Sequence, residues 1–224
     1  MSGFRFRWSE NRVAPAHVPV GETKGYEQMT IDLIRRVHGQ ELPAAGVWEI
    51  PPERTSIQFT LRRPCARPVR GHLQLEDGIM LIATDPHASV AAISIDATSL
   101  SSARRRRDAR MRARLATDRY PTIDLYIDEV EQQTRWEWTA LGRLSVRSTT
   151  HLVALCFTYD GVNDRGDAKF RARTTLSVAD LGIGRRWSRW FTRSLSVDIR
   201  VEASARPLFD IPAESDGLAA VSGF

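Results

Sequence analysis

Arg107-Asp108-Ala109-Arg110-Met111-Arg112, followed by Tyr120-Pro121-Thr122-Ile123, decides how this chain is read. The stretch stands between two blocks in which apolar residues recur at every second position. A short basic helix over Ser102–Ala116 would interrupt otherwise continuous antiparallel β-structure. The same stretch holds the charge anomaly. Seven Arg and one Asp between Ala103 and Arg114 give a local charge of +6, while the whole chain carries +5. The remainder is therefore near neutral, and the positive charge is one concentrated element rather than a property of the whole surface.

Before the helix, Ile57, Phe59 and Leu61 alternate with polar residues, as do Val69, Gly71, Leu73 and Leu75, then Ala91, Ile93 and Ile95. Asp77-Gly78 predicts a hairpin turn into Ile79–Ile82. After it come Ile123, Leu125 and Ile127, then Trp136, Trp138, Ala140, Gly142, Leu144 and Val146. Leu152–Tyr159, Ala168–Val178 and Leu195–Ala203 follow, with turns read at Asp160-Gly161 and Arg165-Gly166-Asp167. About eight strands with short connections and no βαβ alternation predict a closed antiparallel barrel or a sandwich. A barrel of about eight strands leaves room for one slender ligand.

Outside this span the pattern changes. Residues 1–45 read as an extension in which Tyr26–His38 has helical spacing, with Tyr26, Met29, Leu33 and Val37 on one face and Gly39 as its stop. Residues 46–204 form the barrel, and 205–224 read as a loose tail. With 224 residues and 42% hydrophobic content, one domain with appendages is expected. There is no run of about 18 apolar residues and no secretory h-region, so a cytoplasmic protein is expected. Cys65 and Cys156 have no CxxC spacing and read as free thiols.

Catalytic signatures are missing. His17, His38, His72, His87 and His151 are scattered without metal-site spacing, there is no GxSxG elbow or phosphate loop, and Gly182-Ile183-Gly184 is only GxG. No catalytic residue, metal or required cofactor is assigned. Two clusters remain. Arg104–Arg114 reads either as a solvated face or as an anion site, since the Arg fork matches phosphate oxygens. Without interleaved aromatics, it does not read as a nucleic-acid surface. Gly184–Arg193, with Trp187, Trp190, Phe191 and four Arg, reads either as packing under the barrel end or as a portal at a membrane interface.

These residues resemble the YceI-like family of polyisoprenoid-binding, lipocalin-like proteins. The resemblance runs from Gly46 to Ala203. It is carried by Val47-Trp48-Glu49-Ile50, Ser56-Ile57-Gln58-Phe59, Val69-Arg70-Gly71, the strand from Ser89 to Leu100, the opening stretch, Leu141–Val146 and Asp180-Leu181-Gly182-Ile183. It implies an all-β, eight-stranded antiparallel barrel with one helix against it, and an apolar tunnel for an isoprenoid chain or a quinone. No catalysis is implied; carriage, storage or sensing is.

The expected lining is Ile57, Phe59, Leu73, Ile93, Ile95, Leu125, Trp138, Leu144, Val153, Phe170, Leu176 and Ile199. The family motif places Arg107, Asp108 and Arg112 as the residues that dock the helix. That leaves Arg104, Arg105, Arg106 and Arg110 for an anion or lipid head group, and a transient membrane-surface contact or a homodimer is compatible with it. Two other readings stay open: an interaction module whose barrel is filled by its own side chains, and an enzyme acting on a hydrophobic substrate.

Overall fold

The computed structural model describes residues 33–210, apart from 38, 65, 180 and 182–194. Within them, β1 (Ile34–Val37) and β2 (Gln40–Pro43) form a separate hairpin. The main sheet comprises β3 (Gly46–Glu49), β4 (Thr55–Arg63), β5 (Ala66–Ile82), β6 (Val90–Ser101), β7 (Thr122–Gln132), β8 (Glu137–Val146), β9 (Thr149–Val162), β10 (Ala168–Ser177) and β11 (Ser196–Asp210). Helix α1 (Arg105–Leu115) lies between β6 and β7. Sequential strands from β4 to β11 pair antiparallel, and β11 returns to pair with β4. The sheet closes on itself as an eight-staved barrel.

One stave is built in two pieces. β5 pairs with β4 along one half and with β3 along the other, and β11 does the same. Between β3 and β4 stand Pro51 and Pro52, which have no N–H to give a ladder. A single 3-10 turn over Pro52–Arg54 replaces the ladder there, held by Ile50 N–H donating to Gly78 O (2.7 Å) and Thr55 Oγ donating to Pro51 O (2.9 Å).

The Asp-Gly pairs at 77–78 and 160–161 are not turns. β5 runs straight through Asp77-Gly78 with a register shift between Leu75 and Asp77. Gly78 lets Ile50 pack closely on the strand, since a Cβ there would stand 3.0 Å from Ile50 Cβ. Gly161, at φ +91, sits inside β9, where the ladder to β10 shifts register between Ala168 and Phe170. The left-handed glycine that makes a hairpin turn also makes a β-bulge. Each bulge inverts the inward parity, so Leu75 is followed inside the barrel by Gly78, Met80 and Ile82.

No helix is found over the described part of Tyr26–His38. Residues 26–32 and His38 lie outside the described residues, and Ile34–Val37 is strand. Ile34 and Val37 are β-branched, which favours a strand. Gly39, at φ +78, supplies the turn that pairs Val37 with Gln40 rather than a helix stop. At the other end, β11 runs on to Asp210, past residue 204, where the alternation places the end of the barrel. Cys156 is a free thiol on β9, and Cys65 lies outside the described residues. Among the described residues, no helix is long and apolar enough to cross a membrane.

The β7–β8 ladder is close enough to need a glycine. A Cβ on Gly142 would press into the backbone carbonyl of Tyr126 and stand 3.0 Å from Ile127 Cα. Backbone cannot yield as a side chain does, so Gly142→Ala should destabilise by about 2–3 kcal/mol. Urea unfolding of the variant would read this as a lower midpoint at an unchanged slope.

Candidate functional site

The barrel interior is divided into a filled half and a hollow half. Helix α1 follows the C-terminal end of β6 and packs at that end of the barrel. There the Phe59 ring lies over Gly71, so close that an added Cβ would overlap the ring. Leu144, Val146 and Val153 are buried nearby, with Leu115 of α1, Ile123 and Leu176 packed against their cluster. The opposite end holds a cavity of about 210 Å³. Its walls come from the start of β4 (Thr55, Ile57), the end of β5 (Met80, Ile82), the start of β6 (Ala91, Ile93, Ile95), and β7 (Leu125, Ile127, Val130). β8 adds Trp138 and Ala140, β9 adds Leu155, Phe157 and Tyr159, β10 adds Phe170 and Ala172, and β11 adds Val201 and Ala203. Arg35, Leu42 and Pro43 of the β1–β2 hairpin line it as well.

Six of the twelve expected lining residues reach the cavity: Ile57, Ile93, Ile95, Leu125, Trp138 and Phe170. Leu73, Leu144, Val153, Leu176 and Ile199 share the inward parity but serve the two packed clusters, and Phe59 is buried against Gly71; none of the six lines the cavity. Leu155, Phe157, Tyr159, Val201 and Ala203 continue the same alternation and were reachable from sequence by extending it along the strand. Met80, Ile82 and Val130 were not, because each lies beyond a bulge. Nothing in the sequence pattern places Arg35 or Leu42 at a barrel mouth. Trp136 is outside, 62% exposed, with Arg135 stacked 5.0 Å from its ring centroid.

The wall has few polar side chains. Thr55 donates to Pro51 O, and Ser89 Oγ accepts from Ala83 N–H (3.1 Å). Arg35 donates from Nε to Pro43 O (3.1 Å) and from its two terminal nitrogens to Thr84 O and Ala83 O, each at 2.6 Å. Burial disfavours its charge and lowers its pKa, offset in part by Asp85. The Tyr159 hydroxyl is buried with no hydrogen-bond partner among the described residues. Burial, and secondarily the charge of Glu41, pushes its pKa up to about 12, so it remains a neutral donor. No His, Cys or carboxylate lines the cavity, and no cluster of three or more potential metal ligands occurs among the described residues.

The basic helix lies at the other end from the cavity. Asp108 is buried, and its Oδ1 accepts from Ser102 N–H (3.0 Å) and from Ser102 Oγ. Arg107 donates to Ser102 Oγ (2.7 Å) and Ser102 O (2.6 Å), and Arg112 donates to Leu100 O (3.1 Å). These three residues dock α1 onto the barrel. Arg104, Arg105, Arg106, Arg110 and Arg114 are exposed. They stand at the α1 end of the barrel and are not among the residues that line the cavity. Gly184–Arg193 lies outside the described residues.

The family profile of the YceI-like domain matches residues 48–205. Among solved structures, the chain is similar to BcnA of Burkholderia cenocepacia, with 12% identity and a TM-score of 0.58, over 69% of this chain and 98% of that one. It is similar to a polyisoprenoid-binding domain from Saccharophagus degradans implicated in plant cell wall breakdown (11% identity, TM-score 0.51, 70% and 98% covered). A YCEI protein of Campylobacter jejuni also matches, at 18% identity and a TM-score of 0.50, with 64% and 88% covered. At such identities the structural likeness bears on fold alone. No functionally curated protein matches the chain. The profile match spans the barrel from Trp48 to Ala205, and on that ground the chain belongs to the YceI-like family.

Proposed function

We propose that the barrel binds the chain of an isoprenoid-type lipid, a polyprenyl compound or a quinone tail, and carries, stores or senses it without transforming it. The observation that carries this reading is the cavity of about 210 Å³, walled almost entirely by apolar side chains inside a closed barrel. A site for one ordered water needs only about 10–15 Å³ on the same measure, so the space suits a slender hydrocarbon. About ten buried carbons would contribute roughly 8 kcal/mol before ordering costs. The described residues of the wall include no carboxylate, His or Cys, which favours binding over catalysis. The polyisoprenoid-binding domain among the structural relatives points the same way.

Trp138 provides the readout. It is 4% exposed, lines the cavity, and stacks near Phe157 with ring centroids 6.3 Å apart. Titration with geranylgeraniol or a long-chain quinone should change tryptophan fluorescence, and Trp138→Phe should remove most of that change. Native mass spectrometry of the purified protein, with organic extraction, should recover an apolar molecule. A protein that retains nothing and gives no optical response would sink the lipid reading and favour a barrel that serves as an interaction module.

A further inference from the structure

Among the described residues, Arg35 is the one charged side chain in the cavity wall, and no carboxylate forms an ion pair with it. Its guanidinium is not loose. Three backbone carbonyls, of Pro43, Ala83 and Thr84, hold it at the mouth. A guanidinium carries five N–H donors in a rigid fork, so three bonds leave two donors free, and the charge of Asp85 offsets the burial of the cation only in part. The residue reaches this position because the β1–β2 hairpin pairs Arg35 with Leu42, which is buried in the core. Beyond the mouth, Tyr159 adds a buried O–H with no partner. Among the described residues, the polar capacity left unfilled at this end is thus a fixed cation and a neutral donor, in a wall without a carboxylate.

We propose that Arg35 anchors the anionic head group, phosphate or carboxylate, of the amphiphile whose tail fills the cavity. This rests on the lipid reading above and narrows it from any isoprenoid chain to an acidic one. The anchor precedes the residues matched by the family, 48–205, so it belongs to the hairpin and not to the shared barrel. It also assigns head-group recognition to the hairpin end rather than to Arg104–Arg106 and Arg110 on α1. An oxyanion there would accept from both free N–H groups in the two-pronged geometry that Arg supplies to phosphates and carboxylates. Burial would strengthen the attraction relative to water.

Tail-matched probes test it: geranylgeranyl monophosphate, geranylgeranoic acid and geranylgeraniol, titrated into the full chain by tryptophan fluorescence. At least one anion should bind about tenfold or more tightly than the alcohol, as expected for a charge-assisted bond, and the tighter anion identifies the head. The preference should weaken as salt is raised. Arg35→Gln should abolish the preference, so that anion and alcohol bind this variant alike.

Equal binding of all three probes by the native chain, or a preference that survives in Arg35→Gln, would overturn the proposal while leaving the lipid reading intact. Binding of none would overturn both. Should Arg35→Gln not fold, the comparison of anion with alcohol in the native chain, with its salt dependence, still decides.

Discussion

Replacing Asp108 with Ala should cost about 3 kcal/mol, and the cost should depend on pH in one direction only. The Asp108 carboxylate is 5% exposed and accepts from both the N–H and the hydroxyl of Ser102. Ser102 in turn receives two bonds from Arg107. Removing the carboxylate strands the Ser102 N–H in a buried position and leaves Arg107 bonded to a serine that has lost its own partner. An unsatisfied buried donor costs about 1–3 kcal/mol, and hydrogen bonds to a charged group are the stronger ones. For a domain of this size, the change corresponds to a fall in Tm of roughly 6–12 °C.

The bonds from Ser102, chiefly from its side chain, hold the Asp108 pKa below the usual carboxylate value. Burial opposes this, and Arg107 adds to it. A lowered folded-state pKa means that the stabilisation is complete above the unfolded value of about 3.9 and is lost as pH falls through the folded value. The gap between native protein and variant should therefore be flat from neutral pH down to about 5 and narrow below about 4. A gap that stays constant into strong acid would mean that packing, not the charged form, supplies the stabilisation. Because α1 sits far from the cavity mouth, lipid binding by the folded fraction should be unchanged.

The legibility of this chain follows from which physical rule each residue obeys. The strands from Ile57 to Ile199 were readable because one face of each is inside the barrel, and burial enforces the two-residue period. The docking role of Arg107, Asp108 and Arg112 was readable from their match to the family motif, not from the charge pattern of the helix. Bulges were not readable. Asp77-Gly78 and Asp160-Gly161 have turn composition, and only tertiary pairing tells a glycine that bends a strand from one that ends it. Since each bulge inverts parity, the inward residues beyond it, such as Met80, Ile82 and Val130, were lost with it.

The hollow half could not be told from the filled half either. Phe59 and Leu144 obey the same alternation as Ile57 and Leu125, and their difference arises from Gly71 and the Phe59 ring that lies over it. Arg35 was hidden for another reason: its segment read as helical, and a helix would not have carried it to the mouth.

The second large effect separates a ligand cavity from a self-filled core. Ala140 is 2% exposed, lines the cavity, and lies on β8 between Val130 of β7 and Leu155 of β9. Ala140→Phe would project a ring into the hollow. If the space accommodates a lipid chain, the ring takes the place of part of it. Excluding about four buried carbons removes roughly 3 kcal/mol, so affinity for geranylgeraniol or its anionic analogues should fall about a hundredfold. The unliganded protein should be unharmed or gain about 0.5–2 kcal/mol, as cavity-filling substitutions do.

A barrel already packed by its own side chains would respond in the opposite way. The ring would force neighbours off their rotamers and destabilise the fold by about 1–3 kcal/mol, with no binding to lose. Thermal unfolding and fluorescence titration of this one variant therefore give opposite pairs of results under the two readings. Phe at 140 faces Trp138 and Phe157 across the same wall, so the tryptophan emission of the unliganded variant should shift towards that of the liganded native chain. If Ala140→Phe lowers Tm and leaves lipid affinity untouched, the cavity is not where the ligand sits.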